Sequence, residues 1–362
     1  MAVGGFFEFP EFDCKEYHRG SVLYYLINIA ENEDHSFFRD GRQAIKSVLL
    51  NIEKLEDKIC YLPAYLCYSI LQPFRELNLK IKFYNHQHPL KPVIDENIKN
   101  SLLYIIDYFG TEFVSNEEIC EFLNKNNIVI LDITHSIFSK NRFKISHENL
   151  YLISSLRKAF PIPDGGILYY TNSKFETNGS FPKGYENMLE AMVLKSFYLK
   201  TVSEPPFKKS ANLKNCFLTL YKNYEIDKDK SSIQLQDIPS ISLGILKNIN
   251  ISNIINRRSE NLNFMYKNIS NKEHFLCSIS DIKSPFSLPL IFKSEEKRNA
   301  AKELLIKDGI YPPIHWDLQN TIPKNYLYEH ELNKKILSIP IDQRYDDEDM
   351  LRAVNILNGG AL

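Results

Sequence analysis

No C-x-x-C pair occurs among the six cysteines, Cys14, Cys60, Cys67, Cys120, Cys216 and Cys277, so neither a zinc knuckle nor a disulfide framework is indicated. They read as reduced, mostly core residues, and no metal is expected. The H-x-H of His86 and His88 sits in NHQHPLKP, a polar loop ending in prolines, and lacks a third ligand. No uninterrupted apolar stretch reaches membrane-spanning length, and the opening MAVGGFFEFPEFDCKEYHRG lacks the basic-then-apolar order of a signal peptide. The expectation is a soluble cytoplasmic protein. Neither sign of charge is in excess: 44 Lys and Arg stand against 45 Asp and Glu, a formal net charge of −1. Nothing therefore points to nucleic acid or an anionic membrane, and small molecules or another protein chain are the expected partners. There is no internal repeat and no low-complexity tract.

What is present is an alternation. At 362 residues the chain suits one large and one small domain. Short β-branched and aromatic runs at Ile59–Leu62, Ile81–Tyr84, Leu102–Ile106, Ile128–Leu131, Leu150–Ile153 and Ile167–Tyr170 predict strands. Most are apolar throughout, as in a sheet covered on both faces, and helices over Gln43–Ile52, Ala64–Leu77 and Ser115–Asn124 supply crossovers, which predicts a largely parallel α/β sheet. A long helix is expected over Tyr185–Leu199, followed by loop-like PPFKKSANLKN and EIDKDKSS. From about Ser242 one helix is expected through ILKNINISNIINRRSENLNFMYKNI, then strands at Leu288–Phe292 and Ile336–Ile339 flanking a helix Glu295–Asp308. The expected division is a large α/β domain over 1–240 and a smaller C-terminal α+β domain over 241–362.

Three features fall at or beside the C-terminal ends of predicted strands, where parallel sheets bind ligands. Asp132 ends the run IVIL; a carboxylate there can hold a proton on the ring nitrogen of a pyridine-type cofactor, or simply cap the next helix. Lys158, in SSLRKAFPIPDGG, follows the strand at Leu150–Ile153, with Arg157 as a neighbouring cation that favours a neutral, nucleophilic amine. Gly165 and Gly166 permit close backbone approach, and Ser154 and Ser155 offer hydroxyls to a phosphate or cap the strand end. DGRQAI, Asp40 to Ile45, opens a helix whose free N–H groups can seat a phosphate, with Gly41 allowing close approach. Tyr65, directly after the strand Ile59–Leu62, can stack on a ligand ring or fill the core.

Taken in order, DGRQAI, LPAYLCYSI, IIDYFGTE, VILDITHSIF, SSLRKAFPIPDGGIL, DGIYPPIHW and LSIPIDQRY resemble the DegT/DnrJ/EryC1/StrS family of pyridoxal 5'-phosphate-dependent sugar aminotransferases, from about Asp40 to Ile356. That resemblance implies the fold-type-I transferase architecture, with Lys158 as the covalent attachment point and proton shuttle and Asp132 as the partner of the ring nitrogen. It implies Tyr65 stacked on the ring, His135 on the cofactor's phenolic oxygen, and backbone N–H groups of Arg42 and Gln43 on the phosphate, helped by Ser154 or Ser155. His315 and Trp316 would face substrate. The activity implied is transfer of an amino group, from glutamate, to a keto-sugar that is nucleotide-linked, for surface polysaccharide or a secondary metabolite, by a homodimer. The sequence departs from the family in a shortened Ser154–Lys158 spacing, in G-R-Q-A-I for G-T-x-A-L, and in lacking the Asn-Tyr-Arg segment near Ser231–Gln234. The retained Lys158 speaks against the family's dehydratase branch, and leaves a small-amino-acid decarboxylase or a non-catalytic binding protein as alternatives. Phe6, Phe7, Phe9 and Phe12, and the stretch Pro205–Lys214, could pack across a partner chain or fold back on their own.

Overall fold

A computed structural model describes residues 2–12, 19–31, 33–177, 179, 181–202 and 211–361. In chain order its elements are β1 (Val3–Gly4), α1 (Val22–Asn28), β2 (Asp34–Phe38), α2 (Gly41–Asn51), β3 (Ile59–Pro63), α3 (Tyr68–Glu76), β4 (Lys80–Gln87), β5 (Lys91–Val93), β6 (Leu102–Ile106), α4 (Asn116–Leu123), β7 (Ile128–Asp132), β8 (Leu150–Ser155) and β9 (Gly166–Tyr170), followed by α5 (Glu186–Val202), α6 (Ala211–Lys230), α7 (Ser240–Lys247), α8 (Ile251–Asn268), β10 (Ser287–Ile291), α9 (Glu295–Lys307), β11 (Ile310–Tyr311), α10 (Leu327–Lys335), β12 (Ile336–Pro340) and α11 (Asp347–Ile356). The chain gathers into two compact units that alternate along it. The first comprises Met1–Gly5, Glu53–Leu152 and Ser252–Leu362, the second Phe6–Ile52 and Ile153–Ile251.

In the first unit, β7, β6, β3, β4 and β5 lie side by side in that order. β3 is parallel to β4 and β6, and β6 to β7; only β5 runs antiparallel, against β4. The expected mostly parallel α/β sheet is thus present. Every residue of β6 and β7 is buried, which is why these strands read as unbroken apolar runs. α4 starts on a capping box, Ser115 accepting from Glu118 N while the Glu118 carboxylate accepts from Ser115 N. The helix expected from Ala64 begins only at Tyr68, because Ala64 still extends the strand, its N–H donating to Tyr84 O. The C-terminal α+β part is also as expected: β10 pairs antiparallel with β12, and Met265 of α8, Leu305 of α9 and Ala353 of α11 bury against Leu288, Leu290, Leu337 and Ile339.

In the second unit β2 pairs antiparallel with β9. Two expectations are corrected here. The segments expected to be loops form, from Ala211 to Lys230, the single helix α6. Its Phe217, Tyr221 and Tyr224, spaced by four and three residues, make an apolar stripe buried with Met188 and Met192 of α5 and with Phe7. Phe7 thereby packs on its own chain. The first part of the Pro205–Lys214 stretch, and Cys14, lie outside the described residues. The single helix expected from Ser242 is two, α7 and α8, because the intervening Asn248–Asn250 breaks off to meet residues 20–22: Val22 N donates to Ile249 O, and Ile251 N to Gly20 O. No helix of the described residues is long and apolar enough to cross a membrane.

Gly110 occupies the left-handed region (φ 86°), and a Cβ added to it would stand 1.6 Å from Ser284 O. We expect Gly110→Ala to lose roughly 2 kcal/mol or more in chemical denaturation, because neither the backbone angle nor the neighbouring carbonyl leaves room for a methyl group.

Candidate functional site

The first unit collects one group of the expected residues where β6 and β7 end. Asp132, the last residue of β7, is held through both oxygens: Oδ1 accepts from Thr134 N at 2.9 Å, and Oδ2 from the Tyr104 hydroxyl at 2.8 Å. Tyr104 is fully buried, and burial, with the neighbouring Asp132 carboxylate, pushes its phenol far up, so it remains a donor. Three residues on, His135 Nδ1 accepts from Phe109 N at 3.2 Å, which places the proton of the neutral ring on Nε2. The segments bearing these groups are tied together beneath them. The Ser136 hydroxyl donates to Asp107 Oδ2 at 2.6 Å, and Arg142, itself fully buried, grips both oxygens of Asp107 at 2.6 and 2.8 Å.

Around His135 the unit assembles aromatic rings. Phe286 stacks on it at 3.8 Å and 9°, and the Trp316 indole stands 5.8 Å away at 27°. Trp316 also lies 5.7 Å from Tyr65, whose hydroxyl donates to His315 O, while His315 Nδ1 is 2.8 Å from Ser338 Oγ. The structure therefore brings Tyr65, His135, His315 and Trp316 into one cluster. Tyr65 is fully buried, with Tyr108 and Trp316 against its ring.

The second unit collects the rest. Asp40 caps α2, its Oδ1 accepting from Gln43 N at 3.1 Å, so that this N–H, expected at a phosphate, is donated to a carboxylate. Asp40 Oδ2 pairs with Lys228 Nζ at 3.0 Å. Burial pushes Asp40 up, but Lys228, Arg39 and Arg42 outweigh it and hold the carboxyl at about 2. The Arg42 guanidinium is engaged by the end of α6, donating to Lys228 O at 2.9 Å and to the Asp229 carboxylate. Asp164, wholly buried, accepts from Tyr224 OH at 2.7 Å and from Lys228 Nζ at 3.2 Å, with Arg39 Nε at 3.3 Å. Arg157 pairs with Glu225 at 3.0 Å.

Close approach is built in: a Cβ on Gly41 would stand 3.0 Å from Ser155 Cβ, and one on Gly166 2.5 Å from Asp40 O. Ser154 Oγ is buried without a hydrogen-bond partner among the described residues. Lys158 ends the short 3-10 turn Leu156–Lys158, half-buried, and makes no hydrogen bond or ion pair among the described residues. Beside α2 opens a cleft of about 460 Å³ lined by Arg39, Asp40, Arg42, Lys183 and Lys228. Asp40 and Asp164 lie within DGRQAI and SSLRKAFPIPDGGIL, whereas Lys228 lies in EIDKDKSS, whose polar composition hides the end of α6. Tyr104 and Phe286 carried no signal beyond being aromatic.

Two outcomes follow from the second unit. Asp164→Ala, which takes the carboxylate partner from Arg39 and leaves Lys228 with Asp40 alone, costs about 3 kcal/mol in chemical denaturation. Because Asp40 titrates lower when folded than in the unfolded chain, its contribution to stability is complete above about pH 4 and is lost as pH falls toward 2. The unfolding free energy of Asp40→Asn will accordingly fall less steeply than that of the unaltered protein across that window.

No family model matches the chain, and no curated protein does. Solved structures do. The chain is similar to Spr1654 from Streptococcus pneumoniae in its PMP-form (11% identity, TM-score 0.64, covering 99% of this chain and 94% of that one). It is similar to a DegT DnrJ EryC1 StrS aminotransferase from Brucella abortus (12%, TM-score 0.61, 93% and 88%). It is similar too to the sugar aminotransferase CalS13 from Micromonospora echinospora (12%, TM-score 0.59, 94% and 91%). With nearly complete coverage on both sides at identities this low, the fold of this chain is that of these aminotransferases.

Proposed function

We propose that the chain is a divergent member of the DegT/DnrJ/EryC1/StrS group, a pyridoxal 5'-phosphate-dependent enzyme that transfers an amino group from glutamate to a keto-sugar. The observation that carries this, beyond the fold, is the state of Lys158. Arg39, Arg42, Arg157 and Lys228 are all committed to carboxylates, while Lys158 makes no hydrogen bond or ion pair among the described residues. A half-buried amine with no hydrogen bond or ion pair of its own, near cations that are paired, is available for covalent chemistry.

The donors present suit this cofactor. When bound, it supplies a carbonyl carbon that amines attach to and a ring that accepts the electrons released beside it. Lys158 Nζ would hold it and carry a proton to and from the substrate carbon. Asp132, oriented by Tyr104 and Thr134, would hold a proton on the ring nitrogen. His135, its Nδ1 accepting from Phe109 N, would offer Nε2–H to the phenolic oxygen. The Ser154 hydroxyl and the start of α2 at Gly41 would serve the phosphate, with Ser155 and the backbone of Arg42 beside it, and the Gln43 N–H would join them only by leaving Asp40. His315 and Trp316, with Tyr65 behind them, would bound the substrate. The large domain over 1–240, the small one over 241–362, the homodimer, the cytoplasmic setting and a nucleotide-linked acceptor for polysaccharide or secondary metabolism belong to the same reading.

Lys158→Ala should lose the cofactor's near-visible absorbance with no comparable drop in thermal midpoint; an unchanged spectrum removes Lys158 from the site. Asp132→Asn should retain cofactor and lose most turnover, because an amide cannot hold the ring-nitrogen proton. Added glutamate should bleach the band stoichiometrically, whereas a decarboxylase would not do so and a non-catalytic binding protein would show no band.

A further inference from the structure

The H-x-H sequence left without a function has an unexpected place in the first unit. β3 pairs with β4 only as far as Pro63 opposite Tyr84, so two residues further on the His86 N–H has run past its neighbouring strand. Glu329, in the first turn of α10, takes it: Glu329 Oε1 accepts from His86 N at 2.6 Å and lies 3.0 Å from His86 Nδ1. Both side chains are nearly inaccessible, at 0% and 1%. Burial holds His86 below the usual imidazole range, so near neutral pH its one ring proton sits on Nδ1, facing the carboxylate. Nε2 lies 3.3 Å from Tyr108 Oη, whose proton is donated to Tyr65 O.

Four residues along the same helix, and so on the same face, Asn333 Nδ2 donates to Trp316 O. The preceding carbonyl, His315 O, accepts from Tyr65 OH. α10 is thus fixed to β4 at one turn and holds the Trp316 backbone at the next, and the Trp316 indole faces both His135 and Tyr65.

We propose that Glu329 and Asn333 are positioning residues: α10 is a strut, keyed to His86 by Glu329, through which Asn333 sets the place of Trp316 against His135. The position of Trp316 follows from the contacts alone; its consequence for acceptor binding rests on the aminotransferase reading.

Trp316 is the single tryptophan of the chain, so emission excited at the red edge of the indole band, where tyrosine scarcely absorbs, reports on this one residue. Glu329→Leu and Asn333→Leu should each shift the emission to longer wavelength and raise its quenching by acrylamide, with far-UV circular dichroism retained. The double variant should shift no further than the larger single one, since both act through one helix. Glu329→Gln, whose Oε1 can still accept from both His86 N–H groups, should keep the unaltered emission. In the cofactor-loaded enzyme the leucine variants should raise KM for the acceptor more than they lower kcat. Unshifted emission in Asn333→Leu, or in a folded Glu329→Leu, overturns the proposal, as does a Glu329→Gln shift as large as that of leucine. Should Glu329→Leu not fold, the Asn333 and glutamine variants still decide. Failure of the aminotransferase reading looks different: the unaltered protein then turns over no keto-sugar, while the emission results stand.

Discussion

A charge taken out of water must be met by another, and that constraint orders both units. Asp164 has no solvent contact, and its burial is tolerable only because Lys228, Tyr224 and Arg39 converge on it. Lys228 reaches it from the last turn of α6, and the same amine meets Asp40 at the start of α2. The first unit repeats the arrangement with different partners. Arg142 and Asp107 satisfy one another beneath the turn that carries His135. In each unit the candidate residues rest on a buried ionic base, whose removal would cost more than the loss of any one contact above it.

The start of α2 shows what an acidic cap does to a helix N-terminus. A helix N-terminus offers unpaired N–H groups to an anion. Here Asp40 supplies a carboxylate of its own and is held ionised by three cations. On the proposed reading, a phosphate would meet an N-terminus already partly satisfied and would draw on the neighbouring cations and on the Ser154 hydroxyl for the rest of its binding.

Much of this was legible in the sequence, for reasons that can be named. β6 and β7 are buried on both faces, so LLYII and IVILD are uniform apolar runs, and Asp132 stands out as the first polar residue after one. Lys158 followed a strand and preceded two glycines. α6 escaped notice because its buried stripe is carried by Phe217, Tyr221 and Tyr224 amid Asn, Lys and Asp, which dilute the periodicity. β2 was invisible for a related reason: DHSFF opens with polar residues and is buried fully only at Phe38. The pairing of His86 with Glu329 was beyond reach, since 243 residues separate them and no local pattern announces a long-range partner.

The interleaving of the two units bears on how the chain comes to be folded. β1 pairs with β11, and Gly4 N donates to Tyr345 OH, 341 residues away in sequence. The second unit can complete itself once Ile251 has left the ribosome, but the first must wait for the segment from Ser252 onward. Until then the largely apolar β3, β6 and β7 lack the helices and strands that finish their unit. Contacts of such long span carry a large closure entropy and form slowly. The nascent chain therefore passes through an interval in which its stickiest segments are exposed, and chaperone capture would be directed at the strands between Ile59 and Asp132.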